Sequence, residues 1–495
     1  MENEIKFGTD GWRGITGFDF IDEKVRVISA GISVHLNEKA NLEKLRSVKV
    51  KKSGGDKPKV VIGYDTRFLS DKFAESAAEI FCKSGIVASL SDRFITTPVL
   101  SNAVVSQAAD LGIMITASHN PYYYNGYKIK AAYGGSAAAD IISPIESRVS
   151  SLYKDSAFVK NLNNFKYDSK YLKTLKIDFL SAYKNFILRM VDCETIKKNF
   201  NFAVLVDPMY GAGQKLFSEI LSGLSSSKVF EIHSVINTYF GGINPEPIGD
   251  NLKDAEKFLK DNKCMLALCL DGDGDRIGAL DENGGFVSSH HIFAVVLDYL
   301  VRRKGFKGKV IKTVTTSSII DRICLKYGLE LVVKPVGFKH ISEEILSGGV
   351  IMGGEESGGL WINGYIPERD GIFMGLVLLE VLCSEKKSAG EILKGIYDNF
   401  GFFVYRRQDY EVENAKKEKI KKLLSSKVPD ILSAEGAGSP ITIDGFKYFL
   451  KDGSWIMLRP SGTEAVVRIY AESSSEEKLN HLHLLGRKIL ESSGL

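Results

Sequence analysis

The chain has few cysteines and little net charge, and both shortages narrow the possible functions. Its six cysteines are scattered over 495 residues without the spacing of a disulfide framework or a zinc site, which indicates a reducing compartment. The formal net charge of +4 is small for this length and argues against nucleic acid as the principal partner. We therefore expect a cytoplasmic protein that does not act on nucleic acids.

Long hydrophobic runs are also missing. The longest apolar stretches, near Ile292–Val301 and Gly371–Cys383, are interrupted by Asp298 and Glu380 and are too short to span a bilayer. Residues 1–4 do not begin a signal peptide. These features predict no membrane partner.

The composition is that of an ordinary soluble globular protein. Hydrophobic residues make up 44% of the chain and charged residues 25%, which is enough apolar material for several cores. The length suggests three or four domains. Strand-like runs that end in a loop and lead into helical patterns recur, as at Val60–Gly63, Ala203–Val206 and Lys309–Val314. This alternation is typical of α/β units.

One serine stands in a loop between regular elements, in a segment that we call the serine loop (residues 116–121). Thr97-Pro98 predicts an N-cap and the first residue of a helix that ends near Ala109. Gly112–Ile115 then reads as a short strand, and Pro121 prevents its continuation. Ser118 is therefore expected at a strand end. An ordinary turn serine is the alternative interpretation.

A second segment, the carboxylate loop (residues 271–276), carries three aspartates at alternate positions separated by glycines. Oxygen ligands in this density favour Mg²⁺ or Ca²⁺ over zinc. An EF-hand is a competing interpretation, but Arg276 takes the place of its required glycine. Strand-like runs at Met265–Leu270 and Ile277–Leu280 flank the loop where an EF-hand needs helices. A solvated acidic turn remains the other alternative.

Together the two loops indicate metal-assisted phosphoryl transfer through a phosphoserine. A hydrolase dyad of Ser118 with His119 is disfavoured, because neighbouring residues seldom face each other and no G-x-S-x-G sequence surrounds the serine.

At this point the sequence resembles the α-D-phosphohexomutases, a family that includes phosphoglucomutase and phosphomannomutase. The resemblance covers nearly the whole chain and runs through several motifs in the family's order. Besides the serine and carboxylate loops, they are the opening signature (residues 7–14), the sugar-recognition loop (residues 354–358) and the distal phosphate loop (residues 459–464).

The resemblance implies three similar α/β domains with mixed sheets and a smaller α+β C-terminal domain around a central cleft. We expect these domains at residues 1–175, 176–286, 287–400 and 401–495. The implied reaction interconverts hexose 1-phosphate and hexose 6-phosphate through a phosphoserine enzyme. The enzyme would phosphorylate the free hydroxyl of the sugar phosphate before it removes the original phosphate. A hexose 1,6-bisphosphate is therefore the expected intermediate and activator.

The resemblance also implies roles for individual residues. Ser118 would carry the phosphate, and Mg²⁺ would be bound by Asp271, Asp273, Asp275 and a phosphate oxygen on Ser118. Arg276 would hold the phosphoryl group and Arg13 would add a second positive charge. Lys128 would be the general base, with its pKa lowered by Arg13 and Arg276 beside it, and His119 would orient or assist, or be structural. Substrate contacts would come from Glu355, Ser357, Lys339, Arg459, Ser461, Gly462 and Thr463.

The sequence defines the type of reaction more closely than it defines the sugar of the substrate. Gly359 follows the sugar-recognition loop where some members carry histidine, which favours glucose over mannose, and amino sugars are a further alternative. A phosphatase using the same phosphoserine would not need the sugar and distal phosphate loops. A non-catalytic sugar-phosphate binding protein would not need Ser118, Lys128 and the three aspartates. The sequence makes no prediction of the oligomeric state.

Overall fold

A computed structural model describes residues 5–8, 10–48, 56–163, 175–462 and 465–492, except the side chain of Asn414. The chain divides into two compact units. The first comprises the described residues up to Ile292, together with Ser342–Gly348 and Ser357–Ile392. The second comprises Phe293–Ile341, Gly349–Glu356 and the described residues from Leu393 onward.

A six-stranded mixed sheet carries the serine loop in the first unit. Its order is β1-β5-β4-β2-β3-β6, with β2 parallel to β3 and β4, and with β5 antiparallel to β4 and β1. The central strands β2 and β4 are buried along most of their length and carry apolar residues on both sides, as expected for strands covered by helices on both faces. The strands are β1 (Trp12–Ile15), β2 (Lys59–Tyr64), β3 (Val87–Ser91), β4 (Leu111–Ile115), β5 (Tyr124–Ala131) and β6 (Lys176–Ile177).

A five-stranded mixed sheet carries the carboxylate loop. Its order is β11-β10-β9-β7-β8. Strand β7 pairs in parallel with β8 and β9, whereas β10 is antiparallel to both of its neighbours, β9 and β11. All five residues of β9 are buried. The strands are β7 (Val204–Asp207), β8 (Val229–Glu231), β9 (Leu266–Leu270), β10 (Ile277–Asp281) and β11 (Phe286–Val287).

The second unit contains a parallel group and an antiparallel sheet. Strand β12 (Lys309–Thr313) pairs in parallel with β13 (Glu330–Lys334) and β14 (Val350–Gly354). Strand β15 (Leu360–Ile362) belongs to the first unit. The antiparallel sheet has the order β16-β19-β18-β17 and is covered by the helix Glu476–Ser492. Its strands are β16 (Val404–Glu411), β17 (Phe446–Phe449), β18 (Trp455–Pro460) and β19 (Val466–Ser473).

Helices lie between several of the strands, as between β2 and β3 and between β12 and β13, which agrees with the α/β units that the sequence pattern predicts. None of the described helices combines the length and the apolar character needed to cross a membrane. The α-helices are Asp22–Asn37, Lys39–Ser47, Ser70–Lys83, Thr97–Ser106, Ala139–Lys154, Ser156–Asn163, Leu180–Leu188, Cys193–Asn199, Leu216–Ser222, Lys253–Asp261, Ser289–Arg302, Ile319–Tyr327, Phe338–Ser347, Gly371–Glu385, Ala389–Phe400, Asn414–Ser426, Asp430–Ala434 and Glu476–Ser492, with single 3₁₀ turns at Phe240–Gly242 and Gly249–Asn251.

The predicted cap of the helix before the serine loop was wrong by one residue. Thr96, not Thr97, is the N-cap, because Thr96 has the extended backbone and its hydroxyl accepts a hydrogen bond from the Val99 amide at 3.4 Å. The helix ends at Ser106, earlier than expected. The Thr97 hydroxyl is thereby left to donate to Asp273 in the carboxylate loop.

Candidate active site

Ser118 lies in the loop that follows β4, as the sequence predicts. Its φ of 53° is in the left-handed region, which a residue with a side chain seldom adopts. The side chain is fully buried, and its Oγ donates to Oδ2 of Asp271 at 2.8 Å. Nδ1 of His119 lies 3.4 Å from the same Oγ, so the neighbouring ring does reach the hydroxyl. The serine is thus held against the carboxylate loop.

Arg67 holds the serine loop in this conformation, and the sequence analysis missed it. Its guanidinium is fully buried and donates to the carbonyl oxygens of Ser118 and Asn120, both at 2.6 Å, and of Pro121 and Tyr124 at 2.8 and 3.0 Å. Burial lowers the pKa of Arg67 from its usual value, although Asp65 beside it opposes that shift. The Asp65-Thr66-Arg67 sequence after a strand was the available signal.

The carboxylate loop joins β9 to β10, which pair as antiparallel strands. This strand context agrees with the rejection of an EF-hand. Asp271, Asp273 and Asp275 are fully buried, and one oxygen from each lies within 4.8 Å of the others. A Cβ on Gly272 would come within 2.4 Å of the Ser118 carbonyl oxygen, so glycine is needed for the two loops to touch.

The three carboxylates fit a hard divalent cation. Among the residues that the structure describes, Oδ1 of Asp273 and Oδ1 of Asp275 are buried and accept no hydrogen bond. Burial raises the pKa of Asp271 well above its ordinary value, and the charges of Asp275 and Asp273 add to that shift. Crowded, partly unpaired carboxylate oxygens are the ligands that Mg²⁺ and Ca²⁺ prefer. This group of aspartates can hold a metal ion.

Lys128 lies among anions, so the expectation that neighbouring cations lower its pKa was wrong. Its Nζ is 2.8 Å from Oδ2 of Asp273, 3.0 Å from Oδ2 of Asp10 and 3.3 Å from Oδ2 of Asp275. Burial alone would lower the pKa of Lys128, but these three carboxylates outweigh it and raise the pKa above the usual value. The sequence could not show that the lysine and the aspartates would meet.

A second buried charge network adjoins the carboxylate loop. Nη2 of Arg369 lies 2.7 Å from Oδ2 of Asp275 and 3.3 Å from Oδ2 of Asp10, and Lys130 pairs with Glu368. Burial would raise the pKa of Asp10, but the cations around it lower the pKa well below its usual value. Asp10 lies within the opening signature, whereas Lys130 and Arg369 belong to none of the motifs in the sequence analysis.

Arg276 and Arg13 also reach the serine and carboxylate loops. The Arg276 amide donates to Oδ1 of Asp271 at 3.0 Å, and its Nη1 lies 3.4 Å from Oε1 of Glu246. Arg13 donates to Oδ1 of Asn120. Burial lowers the pKa of Arg13, partly opposed by Asp10. Two guanidinium groups therefore accompany the carboxylates in the first unit.

The predicted sugar contacts fall in both units. Glu355, in the second unit, is buried, and its Oε1 accepts a hydrogen bond from the Gly337 amide at 3.0 Å. Lys339 also belongs to the second unit and is half-buried near the start of the helix Phe338–Ser347. Ser357 is half-buried and belongs to the first unit.

The distal phosphate loop follows β18. Nε of Arg459 lies 3.0 Å from Oδ2 of Asp444, and the Ser461 amide donates to the Val466 carbonyl at 2.9 Å. Gly462 is exposed, with open space where a Cβ would project. Thr463 lies outside the described residues.

Further arginines stand beside this loop, and the sequence analysis missed them. The pairing of β18 with β19 sets Arg459 directly opposite Arg468. Like charges in this position repel each other unless anions intervene. Nε of Arg468 lies 3.2 Å from Oδ2 of Asp409. Arg407 donates from Nε to Oδ1 and from Nη2 to Oδ2 of the same aspartate, both at 2.8 Å. The sheet thus brings Arg407, Arg459 and Arg468 close to two aspartates, Asp409 and Asp444.

Family models of the phosphoglucomutase/phosphomannomutase domains match four consecutive parts of the chain. The α/β/α domains I, II and III match residues 4–155, 179–285 and 288–400, and the C-terminal domain matches residues 410–483. The chain belongs to the phosphoglucomutase/phosphomannomutase family. It is therefore a phosphohexomutase, an isomerase, with the mixed α/β fold and the smaller C-terminal domain that the resemblance implied.

Individual relatives agree with this assignment. The chain is 29% identical over 488 residues to a phosphoglucomutase/phosphomannomutase of Thermococcus kodakarensis, covering 98% of both proteins. It is also 29% identical over 488 residues to a phosphoglucosamine/phosphogalactosamine mutase of Sulfurisphaera tokodaii, covering 98% of this chain and 99% of the relative. The crystal structure of a Thermus thermophilus protein provisionally named a phosphomannomutase superposes with a TM-score of 0.83 at 30% identity, over 99% of this chain and 100% of the other.

Replacing Arg67 with lysine is expected to lower both stability and mutase turnover of this phosphohexomutase. A lysine ammonium cannot span the four carbonyl oxygens that the guanidinium holds, and each charge-assisted hydrogen bond lost costs about 1.5–3 kcal/mol. We expect R67K to reduce kcat by about tenfold or more, because the serine is displaced. Melting temperature and steady-state rates measure the two effects.

The matched control is R93K, since Arg93 is exposed and its Nε makes one loose ion pair, 3.7 Å from Oδ1 of Asp92. It should alter stability by no more than about 0.5 kcal/mol. Wild-type melting and turnover in R67K would contradict the role given to Arg67.

Proposed function

We propose that this phosphohexomutase interconverts glucose 1-phosphate and glucose 6-phosphate through a phosphoserine at Ser118 and a glucose 1,6-bisphosphate intermediate. The observation that carries this proposal is the hydrogen bond between Ser118 Oγ and a buried group of three aspartates. A serine hydroxyl beside a site for a hard cation suits reversible phosphoryl transfer better than ordinary turn formation.

Different residues of the first unit would bind the metal ion, hold the phosphoryl group and position the serine during phosphoryl transfer. Asp271, Asp273 and Asp275 would hold Mg²⁺, which neutralises charge on the phosphoryl oxygens when it is bound. The Oγ–P bond of phosphorylated Ser118 breaks as a sugar hydroxyl forms the new O–P bond, and the reverse transfer returns a phosphate to the serine. Arg276 and Arg13 would hold the phosphoryl oxygens, and Arg67 would keep the serine loop in place.

Lys128 is our proposed acceptor of the proton that the sugar hydroxyl loses, with His119 orienting or assisting. In this structure the ammonium is stabilised by Asp273 and Asp275, which are also the proposed ligands of the cation. Sharing those carboxylates with a divalent ion would remove part of that stabilisation, and so lower the pKa of Lys128.

The second unit supports recognition of the phosphate that is not transferred. Arg459, Ser461, Gly462 and Thr463 would bind it, since guanidinium, hydroxyl and open glycine backbone suit an oxyanion. Arg407 and Arg468, which pair with Asp409, add to the positive field. Glu355 and Ser357 would contact ring hydroxyls, and Lys339 would add a further phosphate contact.

The proposed domain boundaries lie near residues 175, 286 and 400. The ranges of the four matching family models support them, because each proposed boundary falls between two models or at the end of one.

A second candidate substrate is a hexosamine phosphate. The relative from Sulfurisphaera tokodaii is named for glucosamine and galactosamine phosphates and is as similar to this chain as the phosphoglucomutase/phosphomannomutase relative. Glucose remains our first choice because the sugar-recognition loop, followed by Gly359, resembles glucose-preferring members.

The deciding experiment supplies glucose, mannose and glucosamine 1-phosphates in turn, with Mg²⁺ and a trace of the matching 1,6-bisphosphate. The 6-phosphate and free phosphate are followed together. We expect the glucose 6-phosphate to form fastest without free phosphate. Faster conversion of another sugar would replace glucose, and free phosphate as the main product would replace the mutase mechanism with hydrolysis.

Ser118→Ala should abolish turnover, because no hydroxyl remains to carry the phosphate, while sugar-phosphate binding stays within about threefold of wild type. Incubation with radiolabelled glucose 1,6-bisphosphate should label the wild-type protein but not S118A. Ser222→Ala is the control, since that exposed hydroxyl bonds to the Glu219 carbonyl within its own helix. Labelling or full turnover of S118A would remove Ser118 from the mechanism.

Arg459→Ala should raise KM more than it lowers kcat, because a phosphate that stays in place is bound equally in the ground and transition states. We expect KM to rise by about tenfold or more, as for the loss of one charge-assisted contact. Arg406→Ala is the matched control, since this arginine lies on β16 of the same sheet and pairs with Glu476. A drop confined to kcat in R459A would contradict a pure binding role.

A further inference from the structure

A turn that follows β7 lies directly behind the carboxylate loop. We call residues 207–212 the β7 turn. The Ala212 amide donates to the Gly272 carbonyl at 2.8 Å. A Cβ on Gly211 would lie 2.6 Å from that same carbonyl oxygen and 2.8 Å from the Gly272 Cα. Any movement of the turn therefore reaches the backbone between Asp271 and Asp273.

The β7 turn has a strained backbone. Met209 and Tyr210 are consecutive residues with φ of 48° and 60°, in the left-handed region. Such residues cost of order 1–3 kcal/mol each and persist only where the surroundings hold them. Strain of this kind clusters at active sites and ligand-binding sites, and neighbouring groups must hold the turn in place.

Asp207 and His233 hold the turn. Oδ1 of Asp207, which is fully buried, accepts the Met209 amide at 2.8 Å. Nδ1 of His233 lies 3.0 and 3.1 Å from the two oxygens of Asp207, so we assign the proton on Nδ1 as the donor. The His233 carbonyl in turn accepts the Tyr210 amide at 3.0 Å. The pair thus bonds to both strained residues.

The outer side of the His233 ring has a weaker partner. Its Nε2 lies 3.5 Å from Oδ2 of Asp254, whose side chain is 81% exposed. The ring of Tyr210 lies beside it, with 4.6 Å between the centroids. The Nδ1 contact with buried Asp207 is therefore the one that fixes the turn. None of these side chains takes part in the chemistry proposed above.

We propose that Asp207 and His233 are positioning residues that set the affinity of the carboxylate loop for its divalent cation. They act through the β7 turn, whose backbone fixes Gly272 between two of the three aspartates. The inference rests on the proposed function of the three aspartates as a cation site. Groups that orient metal ligands from behind commonly change metal affinity by 10- to 100-fold when they are removed.

The test compares His233→Gln with His233→Asn. Asparagine places an amide nitrogen at the position of Nδ1 and keeps the donor to Asp207, whereas glutamine places it one bond farther away. Isothermal titration of the folded proteins with Mg²⁺ measures the dissociation constant without substrate. We expect H233Q to bind Mg²⁺ about tenfold more weakly than wild type and H233N to stay within about threefold.

His481→Gln is the matched control, since Nε2 of His481 pairs with Glu435 at 2.7 Å in the second unit. It should leave the Mg²⁺ dissociation constant unchanged. Gly211→Ala is a second variant that leaves His233 intact but pushes on the Gly272 carbonyl, and it should weaken Mg²⁺ binding as H233Q does. It decides the question if H233Q does not fold.

The outcomes separate this inference from the proposed function. Wild-type Mg²⁺ affinity in folded H233Q, or in G211A, overturns the positioning role alone. Equal losses in H233N and H233Q overturn it as well, because the Nδ1 contact would then not matter. No Mg²⁺ binding by the wild-type protein overturns the cation site, and this inference with it.

Discussion

The crowding of three buried carboxylates is the constraint on which the first unit depends. Removing a single charge from water costs several kcal/mol, and three like charges within 4.8 Å add their mutual repulsion. Three cationic side chains around the aspartates, Lys128, Arg369 and Arg276, offset part of this cost. Within the described part of the chain, Oδ1 of Asp273 and Oδ1 of Asp275 still accept no hydrogen bond, and a divalent cation would complete the arrangement.

Close backbone contact is the second element of the design. The β7 turn, the carboxylate loop and the serine loop touch through Gly211, Gly272 and Ser118, with no room for a Cβ at either glycine. The serine loop and the β7 turn, which both touch the carboxylate loop, contain residues with positive φ. Arg67 fixes the serine loop and Asp207 fixes the β7 turn, and both of these ionic side chains are buried. Strained backbone of this kind persists only where the surrounding structure over-determines it.

The second unit treats charge differently. Its arginines pair with Asp409 and Asp444 on partly exposed strands, and Arg459 faces Arg468 across the sheet. Partly screened ion pairs of this kind are weak and can exchange one anion for another. That property suits the phosphate recognition that we propose for the second unit, whereas the buried network suits the transfer that we propose for the first.

The α/β class, the strands around the carboxylate loop and the loop position of Ser118 could be predicted from the sequence, because they follow from local periodicity and from glycine and proline placement. Resemblance to a family also assigned the motifs to one reaction. The contacts of Lys128, Arg67, Arg369 and His233 emerged only from the folded chain. Their partners are distant in the chain, and a lone lysine or arginine carries no local signal of the charge it will meet. The expected environment of Lys128 was wrong for that reason: a pKa depends on neighbours in space, which packing alone assigns.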